Sequence, residues 1–146
     1  MAQKAAKTEI WTAEERAAMK EAAAEAKRAE KRGADDAAGE ADVLAKIAEM
    51  PEPDRSMAAR IHEIVKAAAP DLASKTWYGM PAYTKGGKSI CFFQAASKFN
   101  VRYATFGFQP DARLDDGAMW ANAFAVLELT PEVEERIALL VKRAAS

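Results

Sequence analysis

A nucleophile needs a base within hydrogen-bond reach, and this 146-residue chain offers one thiol and one imidazole for that purpose, Cys91 and His62. Their settings argue for packing instead. Cys91 lies inside the run SICFFQ, where a free cysteine serves as a small hydrophobe. His62 adjoins Ile61 on a helical stripe, the place of a boundary residue, and its charge change near neutral pH leaves a sensing role open. Ser74, Ser89 and Ser97 fall in no nucleophile-elbow pattern, and Gly86-Gly87 reads as a hairpin turn rather than a phosphate cradle. No catalytic residue is assigned, and an enzyme is the least supported class. One His and one Cys also exclude a structural zinc site built from nitrogen and sulfur ligands, so any metal would rest on carboxylates. Two acidic clusters exist: Asp35, Asp36, Glu40 and Asp42, and then Asp111, Asp115 and Asp116. Neither has the alternating spacing of a calcium loop, and both read as solvated turns, so no metal or cofactor is assigned.

The stretch between Asp71 and Asp111 says more. Its 39 residues hold Lys75, Lys85, Lys88, Lys98 and Arg102 and no Asp or Glu, in a chain whose formal net charge is only −1. Eleven of the twelve aromatic residues lie from Trp77 to Phe124, so rings and cations share one region. Lysines also blunt sheet edges, but cations beside exposed rings suit an anionic or planar ligand through charge pairing, cation–π contact or stacking. The segment TWYGMPAY, residues 76 to 83, is the densest part: Gly79 admits positive φ and Pro81 restrains Met80, which describes a rigid irregular bend among rings. The candidate ligand surface is therefore Trp77, Tyr78, Met80 and Tyr83 beside Lys85, Lys88, Arg102 and Tyr103.

Elements must hold these residues in place. Of 73 apolar residues 35 are alanine, and only Met1, Ile10, Trp11 and Met19 among the larger ones precede residue 43, so the core must come from residues 43–146. Residues 1–42 read as an Ala/Glu/Lys-rich helical extension. Thr12 and Glu15 make a capping box, Gly33 is the stop, and Asp35 to Gly39 form a flexible joint. A short helix spans Ala41 to Met50. A longer one begins at Asp54 as N-cap, carries Met57, Ile61, Ile64, Val65 and Ala68 on one stripe, and ends before Pro70. The runs KTWYG, PAYTKGGKSICFFQA and KFNVRYATF predict an antiparallel meander turning at Gly86-Gly87 and at Ala96 to Lys98. Alternation places Lys88, Ile90, Phe92 and Gln94 on one face against Ser89, Cys91, Phe93 and Ala95, and Phe99, Val101 and Tyr103 against Asn100, Arg102 and Ala104. Gln109 to Gly117 is a polar loop, and Phe124 to Leu129 reads as a fourth strand rather than a helical turn. Thr130 caps a closing helix with Pro131 at N1 and a stripe of Val133, Ile137, Leu140 and Val141. The expected class is α+β, an antiparallel sheet with helices on one face, preceded by an extra N-terminal helix.

No apolar run reaches the length of a bilayer span, MAQKAAKTEI lacks a signal peptide's apolar stretch, and a lone Cys91 forms no internal disulfide, so a cytoplasmic protein is expected. The order KAAAPDLASKTWYGMPAY, GGKSICFFQAASKFNVRYATFG and LTPEVEERIALLVKRA resembles the YdhG-like family of small bacterial proteins over about residues 43–145. That resemblance implies a frataxin-like α+β fold and, for some members, a proposed role as intracellular iron chaperones. The leading expectation is a non-catalytic binding or chaperone-like protein, its partner a small anionic or planar ligand or another protein. Iron carriage by carboxylates such as Asp111, Asp115 and Asp116 is the alternative, and nucleic-acid binding through the basic aromatic sheet stays open.

Overall fold

The computed structural model describes residues 11–32 and 36–146 and shows an α+β architecture. Helix α1 (Ala13–Arg32) starts at the expected capping box: the Glu15 N–H donates to Thr12 Oγ1 at 3.0 Å and the Thr12 N–H to Glu15 Oε1 at 3.2 Å. The expected stop at Gly33 and the segment MAQKAAKTEI lie outside the described residues. Helix α2 (Asp36–Glu49) begins earlier than its apolar stripe suggests, so Asp36 to Gly39 form a helical turn and not a flexible joint. A boundary at residue 42 falls inside this helix. Gly39 faces the sheet at a point where a Cβ would overlap the Ser74 carbonyl oxygen, so contact with the strand fixes this turn of helix.

Helix α3 (Asp54–Ala68) ends where Pro70 requires, with the Ala69 N–H on the Val65 carbonyl at 2.9 Å. Asp54 is not the cap expected of it. Its buried carboxylate instead accepts the Ser97 N–H at 3.0 Å, tying the start of the helix to the turn after the third strand.

Five strands follow in simple antiparallel order: β1 (Ala73–Trp77), β2 (Met80–Lys85), β3 (Lys88–Gln94), β4 (Ala104–Phe108) and β5 (Ala123–Val126). Two two-residue turns make the first hairpins. Tyr78 and Gly79 adopt φ 51° and 76°, and Gly86 and Gly87 adopt 57° and 80°, the left-handed pairs whose twist matches that of flanking strands. TWYGMPAY is thus a tight hairpin rather than an irregular bend. The register of β2 on β3 moves by one residue between Tyr83↔Cys91 and Thr84↔Ser89, leaving Ile90 as a bulge. Ile90 therefore joins Cys91 in the core, against the strict alternation read from the sequence. The run KFNVRYATF is only half strand. After Gln94 the chain makes a 3-10 turn (Ala96–Lys98), the Val101 N–H returns to the Ala96 carbonyl at 3.0 Å, and Asn100 takes φ 54°. Phe99 to Tyr103 consequently have no sheet face.

One side of the sheet, carrying Tyr83, Cys91, Phe93, Phe106, Phe108 and Val126, packs on Val43 and Ile47 of α2, Ile61 and Val65 of α3, and Ile137 and Val141 of α4 (Pro131–Ala144). Thr130 caps α4 as expected, its hydroxyl accepting the Val133 N–H at 3.2 Å. Among the described residues no helix is long and apolar enough to cross a membrane.

Candidate functional site

The eight expected ligand-surface residues separate into four groups. Tyr83 has no exposed surface and Met80 is buried, so neither presents a side chain to solvent. Lys85 and Lys88 stand at the β2–β3 hairpin, the end of β2 away from Trp77 and Tyr78, where the Lys85 Nζ donates to the Ala145 carbonyl at 2.5 Å. With Asp111 and Arg113 they border an open cavity of about 480 Å³ beside the end of α4. Arg102 and Tyr103 lie exposed in the β3–β4 connection, the guanidinium 5.3 Å from the Tyr103 ring centroid. Pairing and the bulge account for the separation: Tyr83 pairs with Ser74 and Cys91, placing all three on the core side.

The helix-free side gathers a different set. Lys75, Ala82, Phe92 and Gly107 form one row across four strands, and Trp77 and Met80 pair at the hairpin end of the same face. The Trp77 ring meets Phe92 edge-on at 5.2 Å between centroids and Tyr78 at 5.2 Å on its other flank. Tyr78 is 38% exposed and Trp77 and Phe92 are half-buried, which leaves part of this three-ring surface in water. Gly107 permits it, since a Cβ there would overlap the Phe92 ring lying across β4. Lys75, exposed, supplies a cation on the same face, and Gln94 and Thr105 add polar groups. Lys75, Phe92, Gln94 and Thr105 were missed as site residues. Counting parity back from a two-residue turn at Tyr78-Gly79 would have found Lys75.

The other chemistry-bearing residues form a chain on the core side that runs from buried Tyr83 and His62 to a partly exposed Glu40. His62 Nε2 lies 3.2 Å from Glu40 Oε2 and Nδ1 lies 2.9 Å from the Tyr83 hydroxyl. An ionised Glu40 only accepts, so in the neutral ring Nε2–H donates to it and Nδ1 accepts from the Tyr83 O–H. His62 is therefore an interior residue, not a boundary one, and α2, α3 and β2 meet through it. Lys66 lies 3.7 Å from Glu40 and donates to the Leu72 carbonyl at 3.1 Å. Burial, with the nearby Cys91 and Glu40 charges, drives the Tyr83 hydroxyl well above its ordinary value. Burial likewise pushes the Cys91 thiol up to about 12, the opposite of what an activated nucleophile needs.

That shift makes alkaline stability testable. Between 9.0, where an ordinary thiol loses its proton, and about 12, where this one does, the unfolded chain binds fewer protons than the folded one, so stability falls as pH rises. Cys91→Ala should flatten the decline of urea-unfolding free energy over that window relative to the native chain. Parallel slopes would show that Cys91 ionisation does not contribute.

Among the described residues no group of three or more His, Cys, Asp or Glu side chains is placed to hold a metal ion, Asp111, Asp115 and Asp116 included. Glu40 is engaged by His62 instead. No family model, no curated protein and no solved structure matches the chain.

Proposed function

We propose that this chain is a non-catalytic cytoplasmic binding protein that takes a small planar anion on the helix-free face of its sheet. The observation that carries the reading is the Trp77–Phe92–Tyr78 ring cluster, partly open to water and sharing its face with Lys75. Rings in this arrangement offer stacking surface, and an ammonium group two positions along the strand can pair with an anionic substituent. The motif residues Trp77 and Tyr78 are also among those on which the resemblance to the YdhG-like family rests, and membership of that family is part of the proposal. Iron carriage is not pursued, because it would need an assembled carboxylate set.

The test is a thermal-shift screen of the native chain against nucleotides, aromatic carboxylates, a porphyrin and short single-stranded oligonucleotides, followed by titration of any positive. A small planar anion should raise the midpoint by roughly 5 to 10 degrees at about 100 times its Kd, roughly 2.7 kcal/mol of linkage. The shift should vanish in Trp77→Ala and shrink in Lys75→Ala, each compared with its own unliganded midpoint. A shift confined to oligonucleotides with a steep salt dependence would replace this reading by the nucleic-acid one. A flat screen, or a shift unchanged in Trp77→Ala, would refute it.

A further inference from the structure

Helix α1 meets the rest of the protein mainly through charge. Among its residues from Ala13 to Lys27, Ala18 is the buried apolar side chain, and Met19 is 45% exposed. Two glutamates one helical turn apart make the contact. Glu25 Oε1 accepts the Gly79 N–H at 2.6 Å, at the Tyr78-Gly79 turn. Glu21 Oε2 lies 3.4 Å from Lys46 Nζ and 3.9 Å from Lys98 Nζ, a paired charge without a well-aligned hydrogen bond. The receiving groups come from three other elements: the β1–β2 turn, α2, and the 3-10 turn after β3. Gly79 is shaped for this contact, since a Cβ there would overlap the Glu21 carboxylate.

We infer that Gly79 N–H, Lys46 and Lys98 form a docking site for an acidic helix, that α1 is its resident occupant, and that a partner protein's helix bearing two carboxylates one turn apart displaces it. The receiver is assembled by the β1–β2 turn, α2 and the 3-10 turn rather than by α1, so it persists when α1 leaves. Its charge matches a pair of carboxylates. The resident is held by one buried hydrogen bond, from Gly79 N–H to Glu25, and by partly exposed ion pairs that contribute little, with Ala18 the buried apolar side chain from Ala13 to Lys27. What favours α1 is its tether, which gives it a high effective concentration that an external helix must overcome. The site uses none of the residues of the aromatic face, so the two proposals stand or fall separately.

The full-length chain carrying Glu21→Ala and Glu25→Ala provides the test, since alanine preserves helix propensity while removing both carboxylates. The probe is a fluorescein-labelled peptide with the sequence of residues 11–32, followed by anisotropy. It should bind the double variant at least tenfold more tightly than the native chain, weaken with added salt, and lose affinity when Lys98→Ala or Lys46→Ala is added. The same peptide with both glutamates replaced by alanine should not bind. Equal affinity for native and variant chains, no binding to either, or binding indifferent to both lysines would overturn the proposal. So would a native chain that sediments as a dimer and becomes a monomer in the double variant, which would show exchange of α1 between copies.

Discussion

Tyr83→Ala should lower stability by about 3 to 5 kcal/mol, the range for deleting a large buried aromatic side chain, and leave a partly unfolded population under ordinary conditions. The magnitude follows from position. Tyr83 has no exposed surface, lies on the core side of β2 beside Cys91, and donates its hydroxyl to His62 Nδ1. Tyr83→Phe separates the two contributions, because it keeps the ring and removes only the donor. It should cost about 1 to 3 kcal/mol, the penalty for leaving a buried acceptor unpaired, with His62 Nε2 still on Glu40. A double-mutant cycle between Tyr83→Phe and His62→Ala, measured by urea unfolding, should give a coupling of roughly 0.5 to 3 kcal/mol. Additive losses would mean that the hydrogen bond contributes nothing beyond packing.

Gly39→Ala is the second large effect, and its sign runs against propensity. In an exposed helix interior the exchange gains about 1 kcal/mol, because glycine carries more unfolded-state freedom. Here the added methyl overlaps a backbone carbonyl, Ser74 O, which cannot rotate away as a side chain can. Helix α2 must then lift from β1, loosening Val43 and Ile47 in the core. A loss of about 1 to 3 kcal/mol is expected, read as a lower thermal midpoint, and Gly39→Val should cost more. A midpoint equal to or above that of the native chain would show that α2 is free to shift on the sheet.

Local signals carried much of the architecture. Thr12 with Glu15 and Thr130 with Pro131 place helix starts because a cap needs only residues three apart, and both caps close as their spacing requires. Pro70 ends α3, and Gly86-Gly87 turns the β2–β3 hairpin, through backbone restrictions that no tertiary contact has to supply. The shift from period 3.6 to period 2 near residue 73 was enough to give helices followed by an antiparallel sheet.

The site depended on relations between distant residues. Strand alternation predicts faces only while register holds, and the Ile90 bulge between β2 and β3 changes it by one residue. Tyr83 in a segment dense with rings reads as surface until its partner His62, itself held by Glu40 from a second helix, is placed beside it. Gly39 reads as a joint by composition and acts as a close contact, because glycine's small size and its flexibility give the same letter. Glu21 and Glu25 look like solvated charges on an alanine-rich helix until the fold sets Lys46 and Lys98 beside the first and the Gly79 N–H on the second. Neighbouring residues were enough for the starts at Thr12 and Thr130, the end at Pro70, the turn at Gly86-Gly87 and the class of fold. Only the tertiary structure decided which rings stay in water, which acids find partners and which glycines are needed for space, because those outcomes belong to side chains that meet across the fold.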